Sequence, residues 1–180
     1  VDLTVGDLAK LTETIWSSVL DIELGRWAAA DPTRSVVDVG AIAACVDITG
    51  AWNGSLSIFA ARGLIERLAG TMYGMDVVDL DDELVCDAFG ELANIAGGNI
   101  KSMMGAGCAL GLPVVVRDAR EVIHVSSARL VCGTWLECEG DPVCVALYRR
   151  NGEPQFAGSV VLGTGDAHLD MLNEIRGDRS

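Results

Sequence analysis

From Leu80 to Met104 the chain runs without a proline, and apolar residues recur along it at intervals of three and four. That spacing commits the segment to one long amphipathic helix. Asp79 through Glu83 place acidic groups at its start, where unpaired amides and the helix dipole favour negative charge. Leu84, Val85, Ala88, Leu92, Ile95, Ala96 and Met103 fall on a broad apolar side. A helix with such a side must bury it, and the rest of the chain supplies strands to bury it against.

Those strands come in hairpins. Residues 36–49 read as a strand with Ile42, Ala44, Val46 and Ile48 on one face. Gly50-Ala51-Trp52-Asn53-Gly54 is turn chemistry, with Asn-Gly expected to supply positive φ, and Leu56, Ile58 and Ala60 continue a second strand. Residues 128–138 and 143–149 flank the turn Glu139-Gly140-Asp141-Pro142 as a second hairpin, and Val114-Val115-Val116 adds a further strand. Leu8, Leu11, Ile15 and Val19 mark a first helix over 4–22, and Leu64, Ile65, Leu68 and Met72 a short one. Ser159 to Leu162 reads as a strand and Asp166 to Ile175 as a terminal helix. Paired strands with helices between them predict an α+β fold, a largely antiparallel sheet carrying long helices on it.

Charge narrows the choice of partner. Asp and Glu number 26 against 13 Lys and Arg, a net charge of −13. Such a chain repels phosphate backbones and anionic lipid heads, which argues against nucleic acid and membrane as partners and favours one presenting a basic spot. The longest apolar stretch, Met103 to Val116, is broken by Gly105, Gly107, Gly111 and Pro113 and is too short to span a bilayer. The opening VDLTVGDLAK has no basic region followed by an apolar run, so no signal peptide is expected. Six cysteines contain no CxxC pair and the chain has 2 histidines, so the cysteines read as reduced, buried small side chains of a cytoplasmic protein rather than zinc ligands.

Several other features carry no chemistry. Gly105-x-Gly107-x-x-x-Gly111 follows a helix and reads as its end and a turn, not a dinucleotide loop. Gly163 to His168 lacks the lysine of a phosphate loop. His124 stands in an apolar run as a strand residue, without a nucleophile and orienting acid near it in sequence.

One row on the long helix remains. Asp87, Glu91, Asn94, Gly98 and Lys101 are spaced 4, 3, 4 and 3 apart, which aligns them along one stripe of the surface. Glu91 offers a negative charge for a lysine, and Asn94 an amide that donates and accepts hydrogen bonds. Gly90, Gly97 and Gly98 lie nearby, each costing roughly 1 kcal/mol of helix propensity, and either leave the backbone accessible to something large or allow close helix–sheet packing.

The string Asp87-Ala-Phe-Gly-Glu91-Leu-Ala-Asn94-Ile-Ala-Gly-Gly98 resembles the signature of the CheC/CheX/FliY phosphatases of bacterial chemotaxis. The hairpin and short helix before it and Gly111-Leu112-Pro113-Val114-Val115 after it agree with that family. A single motif copy looks like CheX. The resemblance implies a single CheX-like domain over residues 1–150, with 151–180 a C-terminal extension packed on it or trailing from it. It implies a phosphatase that acts on the aspartyl phosphate of a CheY-type response regulator. Asn94 would insert to orient the attacking water and Glu91 would dock the regulator's lysine, with Asp87 and Gly98 supporting the partner-binding surface. The regulator would supply the Mg²⁺, leaving this chain with no cofactor of its own, and the family implies a homodimer. The strands 36–49 and 128–138 are candidate pairing edges. A non-catalytic module that binds a response regulator or a flagellar-switch partner needs the same docking surface, and the sequence leaves both readings open.

Overall fold

The computed structural model describes residues 3–26, 41–119 and 128–150. The expected strand at 159–162, the terminal helix at 166–175, His124, the Gly163–His168 turn and the extension 151–180 lie outside the described residues.

Helix α1 (Val5–Leu20) starts at a capping box: Thr4 Oγ1 accepts from the Asp7 amide at 3.2 Å, and the Thr4 amide donates to Asp7 Oδ2 at 3.0 Å. It buries Leu8, Ile15, Trp16 and Leu20 and stops at Asp21, whose φ of 56° is left-handed. Among the described residues, seven strands follow the order β1 (Gly25–Arg26), β6 (Ala128–Cys138), β7 (Asp141–Arg150), β3 (Gly54–Ala61), β2 (Ala41–Gly50), β4 (Cys108–Leu110), with β5 (Val114–Val116) also on β2. Every pairing is antiparallel. Helices α2 (Arg62–Tyr73) and α3 (Asp82–Met104) complete the fold, joined by a short 3₁₀ turn at Val77–Asp79. The α+β architecture is the one the hairpins predict.

Ile42, Ala44, Val46 and Ile48 face the helices together with Leu56, Ile58, Val143, Val145 and Leu147, forming the main core with α1, α2 and α3. The opposite face carries a second apolar cluster of Ala43, Phe59, Trp135, Cys144, Ala146 and Tyr148. Burial on both faces explains why β2, β3 and β7 read as near-continuous apolar runs rather than clean alternation.

The structure corrects several local readings. The second hairpin turns on two residues, Glu139 (φ 50°) and Gly140 (φ 84°), so Asp141 and Pro142 already belong to β7. Two consecutive positive φ values match the twist of the flanking strands. In the first hairpin the left-handed position is Gly50 (φ 113°), not Asn53-Gly54; Asn53 instead bridges back, its Oδ1 accepting from the Gly50 amide at 3.1 Å. Strand β2 is flanked by β3 on one side and by β4 and β5 on the other, so it offers no free edge. Among the described residues β6 pairs with β1 only at Leu136 and Glu137, and otherwise leaves its outer side unpaired.

Candidate functional site

Helix α3 begins at Asp81, whose side chain accepts from the Leu84 amide at 2.9 Å, and ends where Gly105 (φ 87°) and Gly107 (φ 95°) turn the chain. It lies over β2 and against α1 and α2. Val85, Ala88, Phe89, Leu92, Ala93, Ala96 and Ile100 are buried, which fixes the rotation of the rod. Leu84 and Ile95 are half-buried on this side, and Met103, expected there, is 41% exposed, whereas its neighbour Met104 packs against the core.

The same rotation places the row on the outer surface. Asp87 and Glu91 are exposed, and Asn94, Gly98 and Lys101 are half-buried. Asn94 Nδ2 donates to Glu91 Oε2 at 3.5 Å, the long limit of a hydrogen bond. Among the described residues neither side chain makes another hydrogen bond or ion pair, so a carboxylate and a carboxamide stand side by side, weakly tethered at the surface.

The three glycines divide in role. A Cβ at Gly97 would fall 2.6 Å from Val46 Cγ1 and 2.9 Å from Leu110 Cδ1, so this glycine exists for packing. One at Gly90 would meet Pro113 and Val115 at 3.6 Å, an ordinary contact. One at Gly98 would meet nothing within 4 Å, so of the three only Gly98 leaves the helix surface open.

Beside the row, a groove of about 950 Å³ separates α3 from β5. Cys86, Asp87, Gly90 and Glu91 form one side, residues 113–117 the other, and Tyr73 contributes from α2. At the head of α3, Asp82 pairs with Arg62 and with Arg117 Nε at 2.7 Å. The hydrogen bond from Arg62 is the main reason the Asp82 carboxyl lies below its usual range. This second wall was invisible to sequence reasoning, because no local pattern announces which strand a helix will lie beside. The apolar run Val114-Val115-Val116, legible as a strand, is its one signal in the sequence.

Cys132, Cys138 and Cys144 are buried as expected, while Cys45, Cys86 and Cys108 are half-buried, and all six are free thiols. Among the described residues no three His, Cys, Asp or Glu side chains converge as a metal site, and no helix is long and apolar enough to cross a membrane.

Residues 42–134 match the family described as chemotaxis phosphatase CheX, a span that contains the whole of α3. The chain belongs to the CheX family. Solved structures agree on the fold. CheX from Vibrio vulnificus is 19% identical with a TM-score of 0.61, covering 79% of this chain and 93% of that one. A CheX–CheY–BeF3–Mg²⁺ complex from Borrelia burgdorferi gives 16% identity and a TM-score of 0.61, covering 80% and 96%. CheX from Desulfovibrio desulfuricans gives 21% and 0.59, covering 78% and 94%. No curated protein matches by sequence. The motif row of this CheX-family chain therefore sits on a fold shared with chemotaxis proteins.

Proposed function

We propose that this chain dephosphorylates a CheY-type response regulator, with Asn94 and Glu91 as the residues that act. The observation that carries the reading is the pairing of these two side chains, 3.5 Å apart on the solvent face of a helix whose opposite side is locked in the core. The family, and a CheX relative solved with CheY, BeF3 and Mg²⁺, support the class of partner.

Asn94 enters the phosphoryl pocket and its amide orients a water in line with the phosphorus. The water oxygen bonds to phosphorus as the bond to the aspartyl oxygen breaks, leaving a carboxylate and free phosphate. The transition state is loose, so placing the water matters more than removing its proton, and an amide suffices. It could not serve as a general base, since it takes up no proton near neutral pH. Glu91 pairs with the regulator's lysine and sets the depth of entry; Asp87 and Gly98 shape the surface around it. In this reading Mg²⁺ travels with the regulator, the encounter takes place in the cytoplasm, and the chain acts as a homodimer.

Asn94→Ala is expected to slow aspartyl-phosphate decay by ~10²-fold, the scale of a misplaced reactant, while binding persists. Glu91→Ala is expected to weaken binding first. Decay of the labelled regulator at substoichiometric chain, with titration of each variant, is the test. Equal decay with wild type and Asn94→Ala overturns the assignment, and titration without turnover marks a binding module instead.

A further inference from the structure

The edge beside the motif carries a large apolar side chain with no packing role. Leu112 is 88% exposed, and Val114, two residues on, 44%. Two contacts fix where this segment runs. A Cβ at Gly97 would touch Leu110, and one at Gly90 would touch Pro113 and Val115, so the chain from Leu110 to Pro113 follows α3 backwards from Gly97 to Gly90. The lengths agree: seven helical steps rise about 10 Å, and three extended steps cover about 10 Å. Leu112 therefore stands level with the turn of α3 that bears Glu91 and Asn94. Around the helix, Asn94 lies about 40° and Glu91 about 100° from Gly90, which places both next to this edge on its solvent side.

We infer that Leu112, with Val114 beside it, is the apolar anchor that seats the partner engaged by Glu91 and Asn94. The inference rests on reading that row as a response-regulator site, and its occupant is the regulator's surface: an apolar patch adjoining the lysine that Glu91 meets. Charge and apolarity are complementary here. An exposed carboxylate–lysine pair contributes little by itself. An aliphatic contact closing beside it excludes water, and the pair then gains strength. Asp87 and Glu91 on one wall of the groove, and Val114 on the other with the exposed Leu112 just before that wall in the chain, give the partner two chemically different holds beside Asn94.

The test compares full-length wild type, Leu112→Ser and Leu112→Met in steady-state dephosphorylation. Leu112→Ser is expected to raise KM by ~10-fold, the scale of losing one buried leucine side chain, with kcat within about twofold. Leu112→Met should restore wild-type KM. Thermal unfolding of all three should coincide, because an exposed side chain contributes nothing to the core. An active wild type with an unchanged KM in Leu112→Ser overturns the anchor alone. Titration with the beryllofluoride-activated regulator separates the two readings. If wild type binds without turnover and Leu112→Ser binds ~10-fold more weakly, the anchor stands and the enzymatic role falls. A wild type that neither binds nor turns over overturns both.

Discussion

At the scale of single residues, Gly97 and Gly98 are neighbours with opposite constraints. An alanine at Gly97 would collide with Val46 and Leu110, both held by strands, so Gly97→Ala should destabilise the fold by about 1–3 kcal/mol. An alanine at Gly98 meets open space and gains helix propensity, so Gly98→Ala should raise stability by about 0.5–1 kcal/mol while weakening regulator binding. Urea unfolding and regulator titration of the two variants check both signs. The sequence marks these positions as costly in a helix but cannot say which of them has a neighbour, since the neighbours come from β2 and β4. Glu91 and Asn94 were legible because helical spacing alone puts them on one stripe. Their solvent exposure depended on which side of α3 the sheet took, which the apolar pattern supplied.

At the scale of elements, the ends of α1 and α3 follow local chemistry and were readable within a residue or two. Thr4 and Asp7 close a capping box, and hydrogen bonds from the Thr4 hydroxyl and amide hold the Asp7 carboxyl below its ordinary value. A depressed carboxyl stabilises the fold above its unfolded pKa, near 4, and that contribution is lost as pH falls through the lower folded value. Wild type should thus exceed Asp7→Asn in stability at pH 7, and the gap should narrow at pH 3; paired urea titrations at the two values measure it. Turns were less legible. Asn53-Gly54 carries the expected residues, yet the positive φ belongs to Gly50; Gly54 is instead required for room, since a Cβ there would collide with the Tyr148 carbonyl and the Trp52 ring, and Asn53 bridges the loop. Pro142 looked like a turn residue but is the second residue of β7, opposite Glu137 and one position before pairing with β3 begins at Val143.

At the scale of the whole molecule, a sheet buried on both faces decides the fate of the thiols. Burial pushes the thiols of Cys45, Cys132 and Cys138 up to about 11 and that of Cys144 further still. Only thiolate reacts with alkylating reagents. At pH 8 iodoacetamide should therefore modify Cys45, Cys132, Cys138 and Cys144 only after guanidinium unfolding, as peptide mass mapping would report. Sheet order is the part that sequence patterns leave open: nothing local indicates that β7 lies between β6 and β3, or that two short strands share one side of β2.

That shared side has an evolutionary consequence. Glu91 and Asn94 ride on a helix whose inward side is buried, whereas the facing residues occupy a connection between two three-residue strands, attached at Gly111 by one amide to the Asp47 carbonyl at 2.8 Å. Changes in that connection would leave the helix unmoved. Lineages could thus exchange one partner for another by drift in a few positions around Leu112, while Glu91 and Asn94 are inherited intact.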